Sequence, residues 1–464
     1  MDRFRMLPNY RYYDDTTGVI ETQYEKPLRD YRIYGNSVQD RTPSPDNPVE
    51  IQSVGEMSIN LCNPDEMVTN GRKENEYVYG TNIDVWVKAG TYTLTFSYGG
   101  GIGDTFFFRK GQVSSGYIQS NQTYGYTRTG ITFTFDEDEY IRISHFGSKT
   151  TAYFYDFMLV EGTSSKPYEP YGKYKIPIEV SGKNLFDMKT LADLGFQLQE
   201  DGSYFGNSYT IGTKTIWTNT EKLNGSFYIG GAMRSANGAF GYSIRIFYTD
   251  GTSKWDFGIT DANKIVDYVQ LAYNSQKEMY LSNFIIAYTS VETTYEPYSE
   301  PQIYNIFLDE PLRKCGDYAD YIDFKNGKVF RYIRTLSVKS GATWYRITVE
   351  STGVSYFQLN GLGTGWRGVI LSPIYKNASI YAFPYDKNPI NNTIAIGSPG
   401  SWDSLMCIRD DRFTDVASLK EALKDIKFYA CNVTPVKTAI ELPQIKLNKG
   451  TNIITVKTAT QPSQ

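Results

Sequence analysis

The chain repeats itself at domain length, and this restricts its architecture more than any other feature. Tyr168-Glu169-Pro170-Tyr171 returns as Tyr295-Glu296-Pro297-Tyr298, a shift of 295 − 168 = 127 residues. In both copies a phenylalanine, Phe157 or Phe284, lies eleven positions upstream inside an apolar stretch. Further upstream, Tyr140-Ile141-Arg142-Ile143 matches Tyr268-Val269-Gln270-Leu271 with one residue of slippage. Solenoid repeats are ~20–50 residues long, so this shift is a domain-sized duplication. Ser181-Gly182-Lys183-Asn184-Leu185-Phe186 also echoes Ser58-Ile59-Asn60-Leu61-Cys62. Repeated binding or building modules explain such a chain better than one catalytic domain.

The modules read as β. Thr91-Tyr92-Thr93-Leu94-Thr95-Phe96-Ser97 alternates strictly, which predicts Tyr92, Leu94 and Phe96 facing the core and the threonines facing out. Ile131-Thr132-Phe133-Thr134-Phe135 alternates in the same way, and Ile141 and Ile143 mark another inward face. Tyrosine is in surplus at 40 residues beside 25 Phe, types that suit a pleated, half-buried surface. Forty Gly and 19 Pro supply turns. Short strands separated by turn signals predict an all-β chain of tandem jelly-roll-like β-sandwiches.

Four regions follow. Residues 1–55 are polar and Tyr-rich and end in Arg41-Thr42-Pro43-Ser44-Pro45-Asp46-Asn47-Pro48, whose prolines predict an extended connector. Residues 56–172 and 173–299 are the two sandwich modules. Residues 300–464 leave the repeat and form a β-rich C-terminal domain. In it, Lys325-Asn326-Gly327 predicts a hairpin between Tyr321-Ile322-Asp323-Phe324 and Lys328-Val329-Phe330-Arg331. One helix is expected at about Asp415–Ile426, with Val416, Leu419, Leu423 and Ile426 on one face and Asp415 as N-cap.

Several function classes recede. The 47 basic and 51 acidic residues nearly cancel, which argues against a nucleic-acid partner. The N-terminus shows no apolar signal-peptide core, and no run approaches the ~18 apolar residues of a membrane span. Cys62, Cys315, Cys407 and Cys431 are scattered and read as buried thiols. His145 is the only histidine, in phase with the apolar positions of its strand, which nearly removes triad catalysis and multi-histidine metal sites. Two carboxylates would suffice for a glycosidase. The densest cluster, Asp136-Glu137-Asp138-Glu139, lies between strands, where acids solvate a turn. Gly99-Gly100-Gly101-Ile102-Gly103 lacks the Lys-Ser/Thr ending of a phosphate loop.

The segment Tyr34-Gly35-Asn36-Ser37-Val38-Gln39-Asp40, continuing through Thr42-Pro43-Ser44-Pro45 to Pro48-Val49-Glu50-Ile51, resembles one recurring in tail-associated structural proteins of tailed phages and prophages of Gram-positive bacteria. So do Gly182-Lys183-Asn184-Leu185-Phe186-Asp187, the run Cys315 to Phe324 with Asn326-Gly327-Lys328-Val329, and Arg412-Phe413-Thr414-Asp415-Val416. Tyr155-Asp156-Phe157-Met158-Leu159-Val160-Glu161 looks like the closing strand of jelly-roll carbohydrate-binding modules. The resemblance implies a phage tail or baseplate component in the virion, assembled in the host cytoplasm, and brings no catalytic residues with it.

The aromatic surplus points to sugar contact, because sugar C–H faces pack on Trp and Tyr rings. Trp366 leads, since its setting Gly361-Leu362-Gly363-Thr364-Gly365-Trp366-Arg367-Gly368 offers little local cover. Trp344, Trp402, Trp217 and Trp86 follow, and Trp255 also lies near turn residues. Tyr10, Arg11, Tyr12 and Tyr13 suit subunit docking. The expectation is a non-enzymatic, cofactor-free adhesin that binds host-surface polysaccharide. It would work as a homo-oligomer, a trimer first, with other tail or baseplate proteins. Its alternatives are a structural tail decoration without glycan binding and a polysaccharide depolymerase.

Overall fold

The computed structural model describes residues 31–39, 41–63, 82–99, 105–110, 117–123, 131–146, 153–207, 212–220, 222–235, 242–273, 278–336, 343–349, 353–360, 362, 365–383, 389–397, 404–448 and 451–456. Strands take 52% of it and helices 5%, so the class is all-β. The chain divides into two compact units. One holds Pro177–Tyr304 with Pro443–Lys457, and the other holds Leu28–Ile176 with Asn305–Leu442. No helix among the described residues is long and apolar enough to cross a membrane.

The sandwich strands fall into two sets of seven. The first set is β1 (Asn82–Val87), β2 (Gly90–Gly99), β3 (Thr105–Lys110), β4 (Tyr117–Thr123), β5 (Ile131–Phe135), β6 (Glu139–Phe146) and β7 (Tyr153–Glu161). The second is β8 (Lys214–Thr218), β9 (Tyr228–Ser235), β10 (Tyr242–Tyr248), β11 (Ser253–Trp255), β12 (Gly258–Ile259), β13 (Val266–Tyr273) and β14 (Glu278–Ala287). The first set forms the sheets β1-β6-β3-β4 and β7-β2-β5, and the second forms β8-β13-β10-β11 and β14-β9-β12. Adding seven to each label of the first set gives the second, so the duplication holds at the level of strand order. In both sets the chain changes sheet at nearly every connection, as in jelly-roll winding. The second set carries two further strands, Gln197–Leu198 and Tyr204–Asn207, outside β14.

Alternation fills the cores. Ile216, Ile229, Ile244, Ile246, Val269, Leu271, Phe284 and Ile286, drawn from both sheets of the second sandwich, join one buried cluster. In the first sandwich Tyr92, Leu94, Phe96, Phe133, Phe135 and Ile141 are buried as their spacing predicts. Thr93 and Thr95 are a correction. They are buried too, at 1% and 3% exposure, instead of facing out. The opposite face of this sheet is also covered, so the Thr93 hydroxyl donates to the Gly162 carbonyl at 2.7 Å. Glu169, beyond β7, brings its amide to Met158 Sδ at 3.3 Å on that side.

Each closing strand is interrupted at the same point. Asp156 (φ 55°) and Asn283 (φ 53°) adopt left-handed backbone immediately before Phe157 and Phe284, and the pairing register shifts there in both sandwiches. Asp and Asn tolerate this conformation better than most residues. Opposite the second bulge, a Cβ on Gly231 would lie 2.9 Å from the Phe284 ring, so glycine is what lets the ring seat.

A buried asparagine spans each bulge. Asn60 Nδ2 donates to the carbonyls of Phe157 (2.8 Å) and Glu169 (3.0 Å), and its Oδ1 accepts from the amides of Cys62 (2.9 Å) and Leu159 (3.2 Å). Asn184 repeats this with Phe284 (3.1 Å), Glu296 (3.0 Å), Phe186 (3.0 Å) and Ile286 (3.2 Å). The echoed Asn, Phe and Glu positions are thus one clasp, made twice.

The C-terminal region holds two five-stranded sheets. One runs Arg32–Tyr34, Tyr321–Asp323, Lys328–Leu336, Phe428–Ala439, Trp366–Leu371. The other runs Trp344–Val349, Val354–Leu359, Leu405–Arg409, Thr393–Gly397, Lys376–Asn377. Arg32–Tyr34 of the N-terminal segment is therefore built into a sheet, with Tyr34 opposite Tyr321. Residues 42–48 contain no strand; a bridge between Ser44 and Asn47 closes a turn. The hairpin at Lys325–Gly327 forms with Asp323 opposite Lys328. Asp323 Oδ1 accepts from the amides of Lys325 and Asn326. The helix spans Val416–Leu423, capped by Asp415, whose carboxylate accepts from Ala417 and Ser418 amides at 2.9 Å each.

Asp320, within the run Cys315 to Phe324, is fully buried. Its carboxylate accepts from the amides of Arg313 (3.1 Å), Tyr332 (2.8 Å) and Ile333 (2.9 Å) and from Arg331 Nη1 (3.4 Å). The register between Lys328–Leu336 and Phe428–Ala439 shifts between Arg331 and Ile333, so the aspartate satisfies amides that this irregularity strands.

Candidate functional site

The outward faces of the four-stranded sheets carry exposed aromatic rings. In β10, Ile244 and Ile246 point inward, which turns Arg245 and Phe247 outward. In β13, Val269 and Leu271 point inward, which turns Tyr268 and Gln270 outward. Strand register then sets two rows across the sheet: Trp255, Arg245, Gln270, Thr215, and beside it Ser253, Phe247, Tyr268, Thr218.

Phe247 and Tyr268 stack at 4.5 Å with 20° between their planes. The Arg245 guanidinium lies 4.5 Å from the Phe247 ring centre and 4.9 Å from that of Trp255. Its Nε and Nη2 donate to Ser253 Oγ at 3.2 and 3.1 Å. Gln270 Nε2 reaches Thr215 Oγ1 at 3.4 Å. Trp255 remains 48% exposed.

The first sandwich presents a smaller version. Val85 and Val87 point inward from β1 and Ile141 from β6, leaving Trp86 and Tyr140 outside and opposite each other. Their rings meet edge to face at 4.7 Å, with 51% and 47% of their surfaces exposed. Tyr140 and Tyr268 hold the same place in equivalent strands. One pairs with an aromatic ring on β1, the other with a ring on β10.

The tryptophans named from the sequence separate into two kinds. Trp86 is exposed. Trp217 is half-buried, edge-on to Phe227 at 5.3 Å, and packs on the core of its sandwich. Trp344 and Trp366 are each 7% exposed and belong to the C-terminal core, which corrects the expectation that Trp366 is the most open. Gly365 (φ 90°) brings the chain so close to the neighbouring strand that a Cβ there would lie 3.0 Å from Asn432 Oδ1. The glycine thus seats the indole, whose Nε1 donates to the Leu362 carbonyl at 2.8 Å. Trp402 and the cluster Tyr10, Arg11, Tyr12, Tyr13 lie outside the described residues, as does the side chain of His145.

Sequence reasoning passed over Arg245, Phe247 and Tyr268. The signal was available: aromatic and cationic residues fill the outward phase of strands whose inward phase is already apolar.

Reactive chemistry is sparse among the described residues. All four cysteines are buried, and burial pushes the thiols of Cys62, Cys315 and Cys431 up to about 12, so they are protonated at neutral pH and poor nucleophiles. Among the described residues no group of three or more His, Cys, Asp or Glu side chains could hold a metal ion. Asp136, Glu137 and Asp138 are exposed on the β5–β6 turn, where Asp138 accepts from the Ala89 amide at 2.9 Å. No family model matches this chain, and no curated protein and no solved structure matches it either.

Proposed function

We propose that the chain is a non-enzymatic tail or baseplate component of a phage or prophage, whose sandwiches attach the particle to polysaccharide on the host surface. The observation that carries this reading is the outward aromatic pair centred on the same tyrosine, Tyr140 or Tyr268, in two sandwiches of one strand order. Rings held on rigid strands offer contact area to sugar C–H faces at little entropic cost. The likeness of several of its segments to tail proteins of Gram-positive phages supplies the biological setting. In that setting the chain is a homo-oligomer, a trimer, resident in the virion with other tail proteins.

Adsorption of the full-length protein to purified Gram-positive cell-wall polysaccharide, with assay of reducing ends, tests the reading. Saturable adsorption without release of reducing ends is expected. Release would make the protein a depolymerase, and no adsorption by the oligomer would leave a bracing role in the tail. The burial of Trp344 and Trp366 in the C-terminal core favours that second reading for the C-terminal region. Light scattering is expected to give three copies per particle, and a monomer at micromolar concentration would overturn the trimer.

A further inference from the structure

We infer that the outer face of the sheet β8-β13-β10-β11 is a subsite for acidic polysaccharide, with Arg245 as the anion contact and Trp255 as the stacking platform. The inference rests on the adhesin reading and specifies its ligand class.

Arg245 differs from the arginines that face carboxylates. Arg331 faces Asp320, Arg412 faces Asp410, Arg409 faces Asp411 and Arg313 faces Glu310. Arg245 forms no ion pair among the described residues. Its guanidinium instead lies against the Phe247 and Trp255 rings and is tied to Ser253 Oγ through Nε and Nη2. A guanidinium carries five N–H donors, and Ser253 accounts for two directions only. The charge is therefore pre-positioned by the two rings, and no carboxylate among the described residues neutralises it. That arrangement suits a planar oxyanion, which arginine binds in two-pronged fashion.

The neighbours fit a sugar. Trp255 is half open on the edge strand β11, beside the cation. Gln270, Thr215 and Thr218 extend the same two rows with amide and hydroxyl groups that can bond sugar hydroxyls. A nucleic acid would require a basic footprint, whereas the described residues of this face offer one guanidinium, on a chain of net charge −4. An acidic glycan, with one charge per repeat and apolar ring faces between charges, matches a single cation flanked by aromatic rings.

The test measures binding of the full chain to polygalacturonate, to a glycerol-phosphate polymer and to neutral dextran, for wild type and for Trp255→Ala, Arg245→Gln and Arg245→Lys. Wild type is expected to prefer an acidic polymer to dextran by at least about tenfold, with affinity falling as salt rises. The preferred acidic polymer identifies carboxylate or phosphate as the anion. Trp255→Ala and Arg245→Gln are each expected to lose about tenfold, as stacking and charge-assisted bonds of ordinary strength would. Arg245→Lys is expected to fall between, because it keeps the charge and loses the planar fork. Melting curves superimposable on wild type show that the variants fold. Unchanged binding in Trp255→Ala and Arg245→Gln, while wild type still adsorbs to cell walls, overturns this subsite and leaves the adhesin reading standing. Equal binding to dextran also overturns it. Failure of wild type to adsorb to any polymer overturns both.

Discussion

Asn60 and Asn184 use their side-chain amides identically, each bonded to four backbone groups at corresponding positions of the two sandwiches. A buried amide has two donors and two acceptor sites, and here all four are satisfied. Replacing either residue by Ala strands two carbonyls and two amides in the interior, at ~1–3 kcal/mol for each group left unsatisfied, softened by relaxation. The expected loss is about 3 kcal/mol or more, read as a fall in urea midpoint. Asn→Asp should cost at least as much, because a carboxylate oxygen would then face two carbonyls. A loss below about 1 kcal/mol would show that the clasp contributes little.

The tryptophans should divide by stability effect. Trp366→Ala and Trp344→Ala remove rings from a packed core and are expected to cost ~3–5 kcal/mol. Trp86→Ala and Trp255→Ala remove rings that are about half exposed, and are expected to stay within ~0.5 kcal/mol of wild type. Thermal melts of the four variants check this order.

Glu296 is expected to make the second sandwich sensitive to acid. Burial opposes its ionisation, but bonds from Lys183 at 2.7 Å and from the Thr451 amide and hydroxyl at 2.8 and 2.9 Å favour the charged form, and the carboxyl sits below its ordinary value of 4.5. The folded pKa is thus lower than the unfolded one. The stabilisation is present above the unfolded pKa and disappears as pH falls through the folded value. Melting temperature should drop below about pH 4.5 in wild type, and less steeply in Glu296→Gln. Equal slopes in the two proteins would assign the acid sensitivity elsewhere.

Asp320 is a buried charge with four donors. Asp320→Ala leaves Arg331 and three amides without their acceptor and is expected to cost ~3–5 kcal/mol, as breaking a buried pair does. Asp320→Asn keeps the shape and loses acceptor capacity at one end, so its cost should be smaller. Urea denaturation of both variants tests this, and a neutral Asp320→Ala would remove the aspartate from the account of that β-irregularity.

Some of the tertiary structure was already visible in local sequence. The hairpin at Lys325-Asn326-Gly327 and the helix behind Asp415 need only short-range chemistry, and both formed where the sequence put them, although the helix ends at Leu423. The doubled Asn, Phe and Glu positions were visible as an echo, and the clasp shows what the echo is for. Thr93 and Thr95 are buried although alternation turns them outward, because alternation states which side of a strand a residue takes, not what covers that side.

By itself the sequence determined the all-β class, the duplication, and the inward phase of strands such as Tyr92-Leu94-Phe96 and Ile244-Ile246. These follow from a two-residue side-chain period that is local to each strand. Only the tertiary structure decided which aromatic rings meet solvent. Trp366 is buried because Gly365 lets its strand approach Asn432, far along the chain. Trp255 is open because it stands on an edge strand with Arg245 beside it. Exposure is settled by non-local packing, and a residue's own neighbours in sequence do not carry that information.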